Sequence, residues 1–350
     1  MSSQAPLSEL SQPARRTARW RVLLGLCLLA HAQLSISATR VTLGVVNWIG
    51  YGPVYCAAAN HAYAKFGLDV RLANFSDNSL MPGALEGGEL DASALTYDQV
   101  ILAAGKGWHL KVVMPLDYSV GGDAIIAGGS VHEVKDLKGH KVAFQPLSAS
   151  DFLLGFALSQ AGLTARDIQP VNSTPEGVVA ILATGAADAG VTYQPSVTAI
   201  LSLADSRHYH IVMSSKEARG IITDVLALKD SLLHANPNVA LGLIKGTLDG
   251  LEFMRTQPDR AVAIIAKALQ ISAADVQAQL PNVENPPLSS LDEVFRRTAA
   301  LPSFYASGPV IGRILSSEHQ ISRTPAIEET FDSRFVAELQ RQSHQDTHAQ

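Results

Sequence analysis

Cysteine is nearly absent from this 350-residue sequence, which holds only Cys27 and Cys56. Two cysteines cannot build a disulfide framework or a four-cysteine metal site. Aromatic residues are also scarce, at 6%, so any local cluster of them stands out. Charged residues make up only 17% of the chain against 47% hydrophobic, which excludes disorder and describes a core-rich globular protein. The formal net charge is -5 and the region after residue 38 has no basic run, so no nucleic-acid partner is expected. No Gly-x-Ser-x-Gly, His-Glu-x-x-His or phosphate-loop pattern occurs. The histidines are scattered, and His344 and His348 fall in a polar tail. No catalytic set, metal or cofactor is therefore expected.

What is present begins with an export segment. Arg15, Arg16, Arg19 and Arg21 precede a short apolar run from Val22 to Ala30. Small residues follow, with Ala30-His-Ala32 or Ser35-Ile-Ser37 as cleavage sites. The run is about nine residues, too short to span a bilayer at about 1.5 Å per residue. Residues 1–38 therefore read as a cleaved signal peptide. A twin-arginine signal at Arg15-Arg16 fits poorly with Thr17-Ala18-Arg19, and Leu26 argues against lipidation at Cys27. Four Arg and one Glu leave with the segment, so the net charge falls from -5 to -8. Cys56 then remains as the one thiol. It follows Tyr55 in an apolar helical run and reads as buried and inert.

The remaining length allows two domains. From residue 40 to about 228 strand and helix signals alternate, in the order of doubly wound α/β sheets. One pattern is used twice. Gly88-Glu-Leu-Asp91-Ala92 runs into Thr96-Tyr97-Asp98, and Gly185-Ala-Ala-Asp188-Ala189 runs into Thr192-Tyr193-Gln194. Each copy reads as a helix end, a turn closed by Gly and Asp, a buried strand and a polar-aromatic tip. Such tips are where open α/β sheets bind ligands. The sequence thus divides into a first half over 39–127, with a return segment of about 222–270, and a second half over 128–221, entered at Gly128-Gly-Ser130. Residues 271–340 read as helices packing on the two, with Val283–Pro287 as a loop, and 341–350 as a disordered tail.

Several phrases carry a resemblance: Gly44-Val-Val-Asn-Trp48-Ile-Gly-Tyr51-Gly-Pro53, Phe66-Gly-Leu-Asp-Val70, Gly88-Glu-Leu-Asp91-Ala92 and Val134-Lys-Asp-Leu-Lys-Gly139-His-Lys-Val142. In this order the chain resembles, over roughly residues 40–270, the periplasmic substrate-binding proteins of the nitrate/sulfonate/taurine and thiamine-precursor transporters. The resemblance implies a two-lobed periplasmic-binding-protein fold of the type II kind, each lobe a doubly wound mixed sheet, with a ligand cleft between the lobes. It also implies a periplasmic monomer that closes on a small molecule and docks on an ABC permease in the inner membrane with its ATPase. A sensory binding protein would use the same lobes. The enzyme alternative is the pyrimidine synthase of yeast thiamine biosynthesis, which shares the fold but carries a cysteine-rich motif missing here.

Positions at strand tips supply the candidate ligand residues. These are Trp48 and Tyr51 after the first strand, Thr96, Tyr97 and Asp98 after the third, and Asp117, Ser119 and Asp123 after the fourth. The second half adds Gln145, Ser148 and Ser150, then Tyr193 and Gln194, with Asp224 at the return crossing. Ser148 and Ser150 also suit the N-cap of the next helix, and Asp91 and Asp188 suit turn structure. The set is aromatic and acidic, with no Arg or Lys at any tip. A sulfonate or nitrate site wants charge-assisted donors or helix N-termini. Carboxylates and aromatics suit an amine, a quaternary ammonium or a nitrogen heterocycle such as a pyrimidine-like compound. A taurine-like zwitterion remains an alternative. On this reading Tyr97→Ala and Tyr193→Ala each weaken ligand binding with little loss of stability.

Overall fold

The computed structural model describes residues 38–203 and 208–348; the export segment falls outside these residues apart from Ala38. Strands β1 (Thr39–Val45), β2 (Leu68–Asn74), β3 (Ala92–Thr96) and β4 (Leu110–Ser119) belong to a first sheet. The chain then crosses to a second sheet of β5 (Asp123–Ala127), β6 (Lys141–Phe144), β7 (Gln169–Asn172), β8 (Ala189–Tyr193) and β9 (His210–Ser214). It returns as β10 (Thr223–Lys229) and later adds β11 (Val283–Glu284). The orders are β11-β4-β10-β3-β1-β2 and β7-β6-β8-β5-β9. Both sheets are mixed, because β10 and β5 run antiparallel to their neighbours.

The doubled sequence pattern is one device used twice. Gly88 at φ 83° and Gly185 at φ 75° end their helices in the left-handed region that favours glycine. The Asp91 carboxylate then accepts the Thr42 N–H of β1 at 2.7 Å, and Asp188 accepts the Lys141 N–H of β6 at 2.9 Å. Each aspartate pins the start of a central strand to the parallel strand beside it. All five residues of β3 and all five of β8 are buried, since each lies between a parallel and an antiparallel partner with helices over its faces.

Three boundaries differ from the sequence expectation. Asp123–Ala127 pairs with β8 and β9, so the crossing lies at Val120–Gly122 and not at Gly128-Gly-Ser130. A short apolar strand satisfies its burial in either sheet, and the Gly121 turn at φ 125° decides where the chain leaves the first. Val283–Glu284 is not loop but a short edge strand on β4. The last helix, Arg334–His348, runs through most of the segment read as a disordered tail.

The C-terminal part braces the rest. Helix Pro237–Thr256 lies against helix Gly52–Ala59 with glycines at every fourth position. A Cβ at Gly242 would press on Leu68, at Gly246 on the Tyr63 ring and at Gly250 on the Pro53 carbonyl. Helix Phe304–Ser317 packs on both Tyr97–Gly105 of the first lobe and Ala149–Gln160 of the second. Gly250→Ala is expected to lower unfolding stability by about 3 kcal/mol, because backbone blocks the new methyl. Gly87→Ala, in a helix with open space around it, is expected to be neutral or to stabilise by about 0.4–1 kcal/mol. Urea unfolding of the two variants checks both.

Candidate functional site

The two sheets present their strand tips to one small, tightly closed cavity. From the first lobe come Trp48 and Tyr51 after β1, Asn78 and Met81 after β2, and Thr96 with Gln99 after β3. Asp224 enters at the start of β10. The second lobe supplies Asp123 at the start of β5, Ala149 at the start of its helix and Tyr193 at the end of β8. Trp48 and Tyr193 meet edge to face across the lobes, ring centroids 5.7 Å apart at 84°. The lobes are therefore closed on the cavity. Two glycines make room for the indole: a Cβ at Gly122 would strike the Trp48 ring, and one at Gly50 would strike Trp48 Nε1 and the Asp117 carboxylate.

Carboxylates dominate the electrostatics. Asp98, Asp117, Asp123 and Asp224 are each no more than 4% exposed, and no Lys, Arg or His is buried among the described residues. Trp48 Nε1 donates to both Asp117 oxygens at 3.2 Å, and the Tyr51 hydroxyl donates to Asp224 at 2.6 Å. These donors do not offset the burial. Desolvation pushes Asp98 up to about 6, Asp123 to about 7 and Asp117 to about 8. It also drives Asp224 well above the usual range, with Asp117, Asp123 and Asp98 adding like-charge repulsion.

Of the expected site residues, Trp48, Tyr51, Thr96, Asp123, Tyr193 and Asp224 line the cavity. Asp117 stands behind the indole, and Asp98 is buried in the first turn of Tyr97–Gly105. The others have different work. Ser119 binds Ser215 at 2.7 Å at the crossing between the lobes. Ser148 caps its helix by accepting from the Ser150 N–H at 3.2 Å, and the Ser150 hydroxyl is buried without a partner. Gln194 accepts from the Thr198 N–H and hydroxyl at 3.1 and 2.7 Å, which holds the start of helix Ser196–Leu201. Gln145 donates to Asp77 across the lobes.

Tyr97 turns away from the cleft. Its ring stacks on Phe304 with centroids 3.7 Å apart, and its hydroxyl lies 2.9 Å from that of Thr330. The correction arises because helix Phe304–Ser317 offers an aromatic surface that nothing near Tyr97 in sequence announces. Asn78 and Gln99 were missed. Their signal is positional: Asn78 follows the tip of β2, and Gln99 sits in the first turn of the helix that starts at Tyr97 and donates to the Asn78 carbonyl at 3.0 Å.

Residues 48–261 match the family described as NMT1/THI5 like, and the chain belongs to that family. A taurine-binding periplasmic protein of Escherichia coli (strain K12) is 22% identical over 236 residues, 66% of this chain and 72% of that one. The fold is also that of the alkanesulfonate-binding protein SsuA from Xanthomonas axonopodis pv. citri bound to MOPS. That match has a TM-score of 0.69 at 17% identity, over 84% of this chain and 98% of that chain. The aliphatic sulphonate binding protein SsuA from Escherichia coli matches with a TM-score of 0.67 at 20% identity, over 84% and 97%. The architecture is the two-lobed periplasmic-binding-protein fold.

The placement of the two tyrosines separates their expected effects. Tyr193→Ala should weaken ligand binding. Tyr97→Ala should instead lower stability by about 3–5 kcal/mol and change affinity far less; calorimetry beside denaturant melts reads both. The buried acids also set a pH dependence. Their folded values lie above the ordinary 3.8, so their stabilising contribution is complete below about pH 4. It is lost as pH rises through about 6, about 7 and about 8. Glu318, raised to about 8 by burial, adds to the upper part. The melting temperature of the ligand-free protein should therefore fall from mildly acid to mildly alkaline pH, and Asp123→Asn should remove part of the fall between about pH 4 and about pH 7.

Proposed function

We propose that this member of the NMT1/THI5-like family is the solute-binding component of an ABC uptake transporter. It is a periplasmic monomer that captures a small nitrogen-containing molecule by lobe closure and hands it to an inner-membrane permease with its ATPase. The named relatives and the fold support the binding role. The cavity supports closure as the capture step, because both lobes line it and a ligand there touches both at once. An enzymatic role has little support. Cys56 is fully buried, and burial pushes its thiol up to about 12. Among the described residues no three His, Cys, Asp or Glu side chains are arranged to hold a metal ion.

The ligand class rests on one observation, four buried aspartates at the cleft with no buried cation to match them. A cation among these acids lowers their raised proton affinity and ionises them, and at about 5 Å and an effective dielectric constant of about 20 one ionised carboxylate then attracts the cation by roughly 3 kcal/mol, whereas an anion meets repulsion or a neutral acid. A helix N-terminus returns about 0.3–1 kcal/mol, at most about 2. The two helix N-termini at the cleft already carry their own acids, Asp98 and Asp151, in the first turn. An amine or protonated nitrogen heterocycle is therefore favoured over nitrate or a simple sulfonate. A taurine-like zwitterion is the second reading, since Ala149 brings a helix start to the cavity wall where a sulfonate can sit while its ammonium faces the acids.

Calorimetry against amines, pyrimidine-like heterocycles, taurine, alkanesulfonates and nitrate tests this. Nitrogenous cations should bind, and Asp224→Asn should weaken them about tenfold or more. Tight binding of nitrate or a simple alkanesulfonate with no response to amines would sink the reading.

A further inference from the structure

The hydrogen-bonding groups of the cleft are unevenly used. Three side-chain donors on the cavity wall are turned inward: Trp48 to Asp117, Tyr51 to Asp224, and Gln99 to the Asn78 carbonyl. Gln145, brought against the same turn from the second lobe, gives its amide to Asp77. Acceptors are left over. Asn78 Oδ1 and Gln145 Oε1 are buried and have no partner, and the amide of Gln145 is oriented by the Asp77 carboxylate it faces. Asp123 and Asp224 add carboxyl oxygens at the wall. Buried polar atoms without partners are rare in native proteins and call for an explanation. Two of the unpartnered atoms here, Asn78 Oδ1 on the cavity wall and Gln145 Oε1 beside the same turn, can only accept, while the Thr96 hydroxyl on the wall is also unpartnered and can serve either way.

An alkylammonium concentrates three N–H groups on one strongly hydrated atom, whereas amidinium and guanidinium groups spread theirs around a plane. Their faces also pack well on aromatic rings. The cavity is walled by Trp48, Tyr51 and Tyr193 and is small, which suits a flat group. The geometry points to a flat, delocalised N–H cation of the amidinium or guanidinium type as the group held between Asp123, Asp224 and the Asn78 amide. This rests on the reading of the cleft as a site for nitrogenous ligands and narrows it. Nitrogen alone does not suffice; the charge must be spread over several N–H donors in one plane.

Three probes that share a phenyl ring separate the possibilities: benzamidine, benzylamine and benzenesulfonate, each titrated calorimetrically into the ligand-free protein at neutral pH. Benzamidine should bind about tenfold tighter than benzylamine, and benzenesulfonate should not bind. Asn78→Ala should cut the preference for benzamidine over benzylamine about fivefold with little change in the unfolding midpoint. Benzylamine binding as well as or better than benzamidine overturns the flat-cation inference and leaves the nitrogenous reading standing. Binding of benzenesulfonate alone overturns both. Silence from all three overturns the flat-cation inference, and the broader panel of amines and heterocycles then decides the reading beneath it.

Discussion

Four carboxyl groups buried together without a cation set the terms for the rest of this structure. Asp98, Asp117 and Asp224 stand on the first lobe and Asp123 on the second, and Asp224 lies within electrostatic reach of the other three. Such a cluster is tolerated only where donors face it or protons stay on it. Trp48 and Tyr51 provide two donors, and the remaining mismatch appears as raised proton affinity. The indole that serves Asp117 needs glycine at positions 50 and 122 to fit at all. Local sequence choices around the cleft thus trace back to holding acids where water does not reach them.

The same cluster links chemistry to motion. Burying the acids between the lobes leaves protons on them in the empty closed state, and a cation seated among them would favour release of those protons. Two clasps define where the lobes turn. Ser215, between β9 and β10, lies 2.7 Å from the Ser119 hydroxyl and accepts the Gly121 N–H at 2.8 Å, which ties the two crossing strands together. On the far side, helix Phe304–Ser317 touches a helix of each lobe. The residues after it hold the second lobe as well, where Gln320 donates to both Asp151 and Glu318 at 2.9 Å. A lobe movement must bend at the serine clasp and slide or carry this brace.

Legibility in the sequence followed the range of the interaction involved. The doubled Gly-x-x-Asp-Ala turn was readable because its parts act within a few residues and one neighbouring strand. The aromatic and acidic tips were readable because a strand end in an α/β sheet faces the cleft whatever packs behind it. Ser148, which suited an N-cap from sequence as well as a ligand contact, and Gln194, which suited a ligand contact, both hold helix starts, since a polar side chain before a helix serves the nearest free N–H first. Tyr97 and Asp98 are adjacent, yet the tertiary structure sends the ring to Phe304 and keeps the carboxyl near the cleft.

By itself, then, the sequence determined two α/β halves, their pinned central strands, and strand tips rich in aromatics and acids with no basic residue. Periodicity, turn chemistry and strand-end position are local properties, and they survive any tertiary arrangement. Only the tertiary structure decided that β5 joins the second sheet, that the last helix extends to His348 and that Tyr97 belongs to the brace. It also decided that four aspartates far apart in the chain share one buried seam. Those outcomes depend on which distant surfaces meet, and desolvation acts on a carboxyl only after the two lobes have closed water out.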